Sequence, residues 1–138
     1  MTDANQERAA LAAIDAIIAD FGAHRRDNYF AGFSPDATFL FHSAPARLES
    51  RAEYEALWKS WEDHDGFQVE SCSSHGRRIQ LFGDTAVFSH EVETVARFGD
   101  APSTTRERES IIMRLIDGDW VCVHEHLSVP SNPTHSAN

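Results

Sequence analysis

His124, Glu125 and His126 stand side by side in the last apolar segment, and imidazoles and carboxyls are the groups that most often move protons in enzymes. Alternate side chains of a strand point to opposite faces. Both imidazoles then share one face with Trp120 and Cys122, while Glu125 shares the other with Val121, Val123 and Leu127 and points towards a pocket. A carboxyl directed into an apolar cavity has its charged form disfavoured, which raises its pKa and suits acid–base work. Glu125 is therefore the first catalytic candidate; the plainer alternative is a structural ion pair with Arg108 or another arginine of the preceding segment. His42 and His90 are candidate proton-transfer partners, or else satisfied core or rim histidines. The imidazole pair has a spacing that a metal would accept, but no third Cys, Asp or Glu lies at a recognisable ligand spacing. Hydrogen bonds across neighbouring strands, or a subunit face, are expected for them instead. Neither a metal nor a cofactor is expected.

Tyr54, Leu57, Trp58 and Trp61 recur at helical spacing, and Tyr29 precedes them. Their rings, each burying about 150–250 Å², serve either as core packing or as an aromatic wall for a flat apolar ligand. No glycine-rich phosphate loop, nucleophile elbow or Cys-His-Asp arrangement occurs. Arg106-Glu107-Arg108-Glu109 alternates in sign and reads as solvation of a strand edge, and Arg77-Arg78 is too small a patch for anion recognition.

The chain has 138 residues and a formal charge of −10, with 22 acidic against 12 basic side chains. That length suits one domain, and the charge would repel a phosphate backbone, so nucleic acid is not an expected partner. No apolar run approaches the roughly 20 residues that cross a bilayer. The charged N-terminal segment lacks the apolar core of a secretory signal, so a cytoplasmic location is expected, with Cys72 and Cys122 as reduced thiols.

The positioning elements follow from periodicity. Apolar residues at Leu11, Ile14, Ile17, Ile18 and Phe21 predict an amphipathic helix over Gln6 to about Arg25. A short helical continuation and a turn at Ser34-Pro35-Asp36 precede a strand over 37–42. Ser50 and Glu53 form a capping-box signature for a helix that ends at Asp65-Gly66, the glutamate reaching back to the serine amide. From there the period becomes two, with strands predicted over 67–82, 85–98, 104–116 and 120–128, split by Gly83-Asp84 and Asp117-Gly118-Asp119. Helices followed by a meander define an α+β fold in which the helices cover one sheet face. The last two strands carry apolar residues on both faces, so a second copy is expected on the other, making a homodimer. Residues 1–128 form the expected domain and 129–138, with two prolines and little apolar content, a flexible tail.

The run Asp117-Gly118-Asp119-Trp120-Val121-Cys122-Val123-His124-Glu125-His126-Leu127-Ser128, with Arg108-Glu109-Ser110 before it, resembles the nuclear transport factor 2 superfamily. Within it, the chain looks like the SnoaL-like polyketide-cyclase branch and the association domain of calcium/calmodulin-dependent protein kinase II. The resemblance spans about Ala10 to Ser128. It implies a cone-shaped α+β barrel, its strongly bent, mixed and mostly antiparallel sheet wrapped around the N-terminal helices and a pocket. It also places Phe41 where ketosteroid-isomerase-like members carry their catalytic carboxylate, and Leu127 where the association domain carries a basic ligand contact. Two functions fit. One is a pocket for a small apolar or aromatic molecule, lined by Tyr29, Phe41, Tyr54, Trp58, Trp61, Arg108 and Leu127. Glu125, with His42 or His90, would there catalyse isomerisation, cyclisation or dehydration. The other is a non-catalytic association domain with a vestigial pocket.

Overall fold

The computed structural model describes residues 2–131. Helix α1 (Asp3–Gly22) starts where the Thr2 hydroxyl accepts from the Asn5 amide, and it buries Ala10, Ile14 and Ile17. Helix α2 (Arg26–Ala31) adds the buried rings of Tyr29 and Phe30. Strand β1 (Phe33–Phe41) begins earlier than expected: the segment Ser34-Pro35-Asp36 is not a free turn but an irregularity inside the strand. Its pairing with β5 jumps from Phe33 opposite Cys122 to Thr38 opposite His124. Pro35 has no amide to offer a ladder, so a break at this point costs little.

Helix α3 (Arg51–Asp65) begins with the Ser50 hydroxyl accepting from the Glu53 amide at 3.1 Å. The Glu53 carboxylate reaches one residue further back than expected and accepts from the Glu49 amide at 2.9 Å. The helix ends at Gly66, in the left-handed conformation at φ 63°. A Cβ there would lie 2.9 Å from the Gly99 amide nitrogen, which donates to the Gly66 carbonyl, so both space and φ require glycine.

Four long strands follow: β2 (Phe67–Phe82), β3 (Thr85–Phe98), β4 (Ala101–Ile116) and β5 (Asp119–Ser128). The sheet order is β1-β5-β4-β3-β2, with β1 parallel to β5 and every other pair antiparallel. Register shifts at Val69/Ser71 and His75/Arg78 in the β2–β3 pair, and at Ile112/Met113 against β5, supply the local bends that a long sheet needs to curl. The concave face closes over the helices. Trp58 is fully buried beneath it, among Phe67, His24, Tyr29 and Phe30 at ring separations of 5.0–5.6 Å.

His24 ties three elements together. Its Nε2 donates to Glu62 on α3 at 2.7 Å, and its Nδ1 accepts from the Val69 amide of β2 at 2.9 Å, which selects the Nε2–H tautomer. Burial pushes the Glu62 carboxyl up, but hydrogen bonds from Trp58, His24 and Arg26 outweigh it and hold Glu62 below the usual carboxylate value. No helix among the described residues is long and apolar enough to cross a membrane. Of the expected tail, 129–138, residues from 132 onwards fall outside the described residues; Val129, its first residue, is exposed.

Candidate functional site

Between helices and concave sheet lies a cavity of about 330 Å³. Ile17 and Phe21 of α1, Tyr29 of α2, Tyr54 and Trp61 of α3, and Phe41 at the end of β1 supply one wall. The strands supply the other, and there the lining turns acidic. Glu107 and Glu109, two apart on β4, both face inward, and Glu125 joins them from β5. Among the described residues no lysine or arginine lines this space.

Glu125 is 2% exposed. Burial drives its pKa well above the ordinary carboxyl value, the charge of Glu109 adds to the rise, and the Tyr29 hydroxyl beside it pulls the other way. A carboxyl in this state holds its proton to higher pH than an ordinary glutamate and can donate it. Tyr29 and Tyr54 share a hydrogen bond at 3.0 Å, and burial, followed by the charge of Glu125, raises both phenols well above their usual value. They remain neutral hydrogen-bonding groups on the cavity wall. The two remaining glutamates hold histidines: Glu109 pairs with His90 at 2.6 Å and Glu107 with His42 at 2.5 Å. The opposite ring nitrogen of His90 meets the Ser74 hydroxyl at 2.6 Å, so a Ser74–His90–Glu109 chain runs from β2 across β3 to β4. Burial pushes the Cys72 thiol, on the same wall, up to about 11, which leaves it a poor nucleophile.

Several sequence-based expectations need correction. Glu125 does face the cavity, but not together with Val121 and Val123. Register passes from Met113 opposite Cys122 to Ile112 opposite His124, so Val123 is an extra, bulged residue. The bulge reverses the alternation, and Trp120, Cys122 and Glu125 all come to lie buried on the inner side. Arg108 is exposed on the outer side of β4, so it neither lines the cavity nor pairs with Glu125. Trp58 lies behind the lining, in the core. His90 likewise sits behind Glu109, with a fully buried side chain, and acts on the cavity only through that carboxylate. His42, Tyr29, Phe41, Tyr54, Trp61 and Leu127 line the cavity.

The run Arg106 to Glu109 reads in the sequence as a solvated edge, which hides Glu107 and Glu109. The missed signal is its period: charges alternating in sign at every residue put both arginines on one face and both glutamates on the other. His124 and His126 lie on the outer face, where the Thr38 hydroxyl and His124 Nδ1 hydrogen-bond at 2.8 Å between β1 and β5. Burial and the neighbouring His126 push His124 below the ordinary histidine value. Among the described residues no group of three or more His, Cys, Asp or Glu side chains is placed to hold a metal.

No curated protein matches the chain. Solved structures match its fold. A candidate dehydratase of the NTF2-like family from Streptomyces avermitilis superposes with a TM-score of 0.78 at 12% identity, over 95% of this chain and 100% of that one. A candidate calcium/calmodulin-dependent kinase II association domain from Exiguobacterium sibiricum gives 0.77 at 15% identity, covering 96% and 98%. A ketosteroid isomerase-like protein from Erwinia carotovora atroseptica gives 0.74 at 16% identity, covering 91% and 96%. At these identities the likeness speaks for the α+β cone alone, since this scaffold carries many unrelated functions. The SnoaL-like domain family model matches residues 10–132, nearly the whole chain, and with the mixed, bent sheet closed over its helices this shows that the chain belongs to the SnoaL-like domain family.

Proposed function

We propose that the cavity binds a small, largely apolar or aromatic molecule and that Glu125 performs acid–base chemistry on it, of the isomerase, cyclase or dehydratase type. The observation that carries this reading is one carboxyl, 2% exposed, facing an aromatic-lined space where burial favours its protonated form. Glu125 would give that proton to a carbonyl or leaving hydroxyl oxygen. The Glu109 carboxylate, held by His90, would accept a proton from carbon, so the site itself balances the transfer. Structural neighbours described as a candidate dehydratase and as ketosteroid isomerase-like lend the fold-level analogy. A thermal-shift panel of aromatic metabolites tests it: a ligand present at about 100 times its Kd should stabilise the protein by about 2.7 kcal/mol. A panel that leaves the melting temperature unchanged would remove the binding reading. The rival reading, an association domain with a vestigial pocket, draws on Phe41 standing where related isomerases carry their base.

We also propose that the chain forms a homodimer through the outer face of the sheet. A cross-strand row of Val87, Ile112, His124 and Thr38 lies there, half-buried in the isolated chain, with Val121 and Val123 beside it. Such a row suits a self-complementary two-fold contact. Light scattering should give twice the chain mass for the wild type and the single mass for Ile112→Glu; a wild-type monomer at micromolar concentration would refute the dimer.

A further inference from the structure

We propose that the molecule taken up by the cavity carries a positively charged nitrogen, its ammonium seated among Glu125, Glu109 and Glu107 and its apolar body against the rings of Tyr29, Tyr54 and Trp61. The inference rests on the binding reading above and narrows it to amines. Three glutamates face one cavity, and among the described residues no lysine or arginine lines it. Glu107 and Glu109 are each matched by a histidine, yet Glu125, the most deeply buried of the three, forms no ion pair among the described residues. Buried carboxylates are ordinarily matched by a cation. Here the described residues supply none to Glu125, and a guest that brings one completes the site.

The remaining wall agrees with this. Aromatic faces carry the negative side of a quadrupole and attract cations. The same walls disfavour a carboxylate or phosphate guest, as does the chain's formal charge of −10. A volume of about 330 Å³ lies at the small end of ligand sites, which span about 300–1,000 Å³, so a one- or two-ring amine fits better than a larger skeleton.

Because burial favours the protonated form of Glu125 and an ammonium guest favours its carboxylate, binding should strengthen as pH rises. The groups facing Glu125 are Glu107 and Glu109 of β4, Tyr29 of α2, Tyr54 of α3 and His42 just after β1, with His90 behind Glu109. Asp65 and Cys72 complete the titratable lining. The contribution of Glu125 is read as the difference from Glu125→Gln.

Calorimetry with the full chain should compare tryptamine and phenethylamine with their neutral alcohols, tryptophol and phenethyl alcohol, and with the anion hydrocinnamate. The amines should bind at least about tenfold tighter than the alcohols at about pH 8. Their affinity should rise severalfold between about pH 6 and about pH 8 in the wild type, and by less in Glu125→Gln. Thermal melting of the variant confirms that it is folded. Alcohols or hydrocinnamate binding as tightly as the amines would overturn the cation while leaving the aromatic-ligand reading in place. Failure of all five probes to bind would overturn both.

Discussion

Trp58→Ala is expected to cost about 3–5 kcal/mol of folding stability and to lower the melting temperature by on the order of 10–20 °C. The indole is fully buried, and six rings surround it: Phe67 at 5.0 Å, His24 at 5.1 Å, Tyr29 at 5.4 Å, Phe30 at 5.6 Å, Phe21 at 5.8 Å and Tyr54 at 6.2 Å. Those partners come from α1, α2, α3 and β2 and from the turn between the first two helices, so no single element can move inward to refill the space. The Nε1–H also donates to Glu62 at 2.9 Å, a carboxylate that already supports His24 and Arg26. A domain of this size is stable by about 5–15 kcal/mol in total, so the variant should approach the unfolding threshold. Trp58→Phe keeps most ring contacts and should lose considerably less. Urea denaturation of the three proteins checks this, and a loss below about 1 kcal/mol for alanine would mean that the helices close on the sheet without this anchor.

Glu125→Gln is expected to make the protein more stable at neutral and alkaline pH while removing its chemistry. In the unfolded chain the carboxyl titrates near its ordinary value of 4.5; in the folded protein, burial and the charge of Glu109 raise it well above that. Between the two values the native state holds a proton that the unfolded state has released. The contribution of this group is therefore full below about 4.5, declines as pH rises, and is lost above the folded value. Glutamine has the same shape and no charge at any pH. Denaturation midpoints of the two proteins should coincide near about pH 4 and diverge progressively as pH rises from there, with the variant higher. Midpoints that stay parallel across this range would show that Glu125 is not desolvated. Turnover of any substrate found for the cavity should fall by about 10²–10⁴-fold, the usual contribution of a positioned acid or base. Stability gained as activity is lost is the pattern of a functional group held against its own preference.

The order of elements was legible because periodicity is local. Ser50 and Glu53 mark the start of α3, Gly66 its end, and the change from helical to alternating pattern marks the sheet. The strand limits erred where the hairpins are tightest. β4 begins at Ala101 rather than Thr104, because Phe98 pairs directly with Ala101 across a two-residue turn. β5 begins at Asp119, because Asp117 and Gly118 both take positive φ, at 51° and 86°, and close the turn by themselves.

Sequence by itself determined the element order, the α+β class and the aromatic helix that closes over the sheet, since these depend on side-chain spacing along one segment at a time. Tertiary structure alone decided which side chains meet in the cavity. A period of two assigns faces only until a bulge adds a residue, and Val123 is such a residue, so the neighbours of Glu125 changed sides while Glu125 did not. The curl of the sheet, which brings β4 and β5 over the helices, likewise turned Glu107 and Glu109 from an apparent solvent edge into the acidic wall of a cavity. The sum of pairings between strands, which no single segment encodes, sets that curvature.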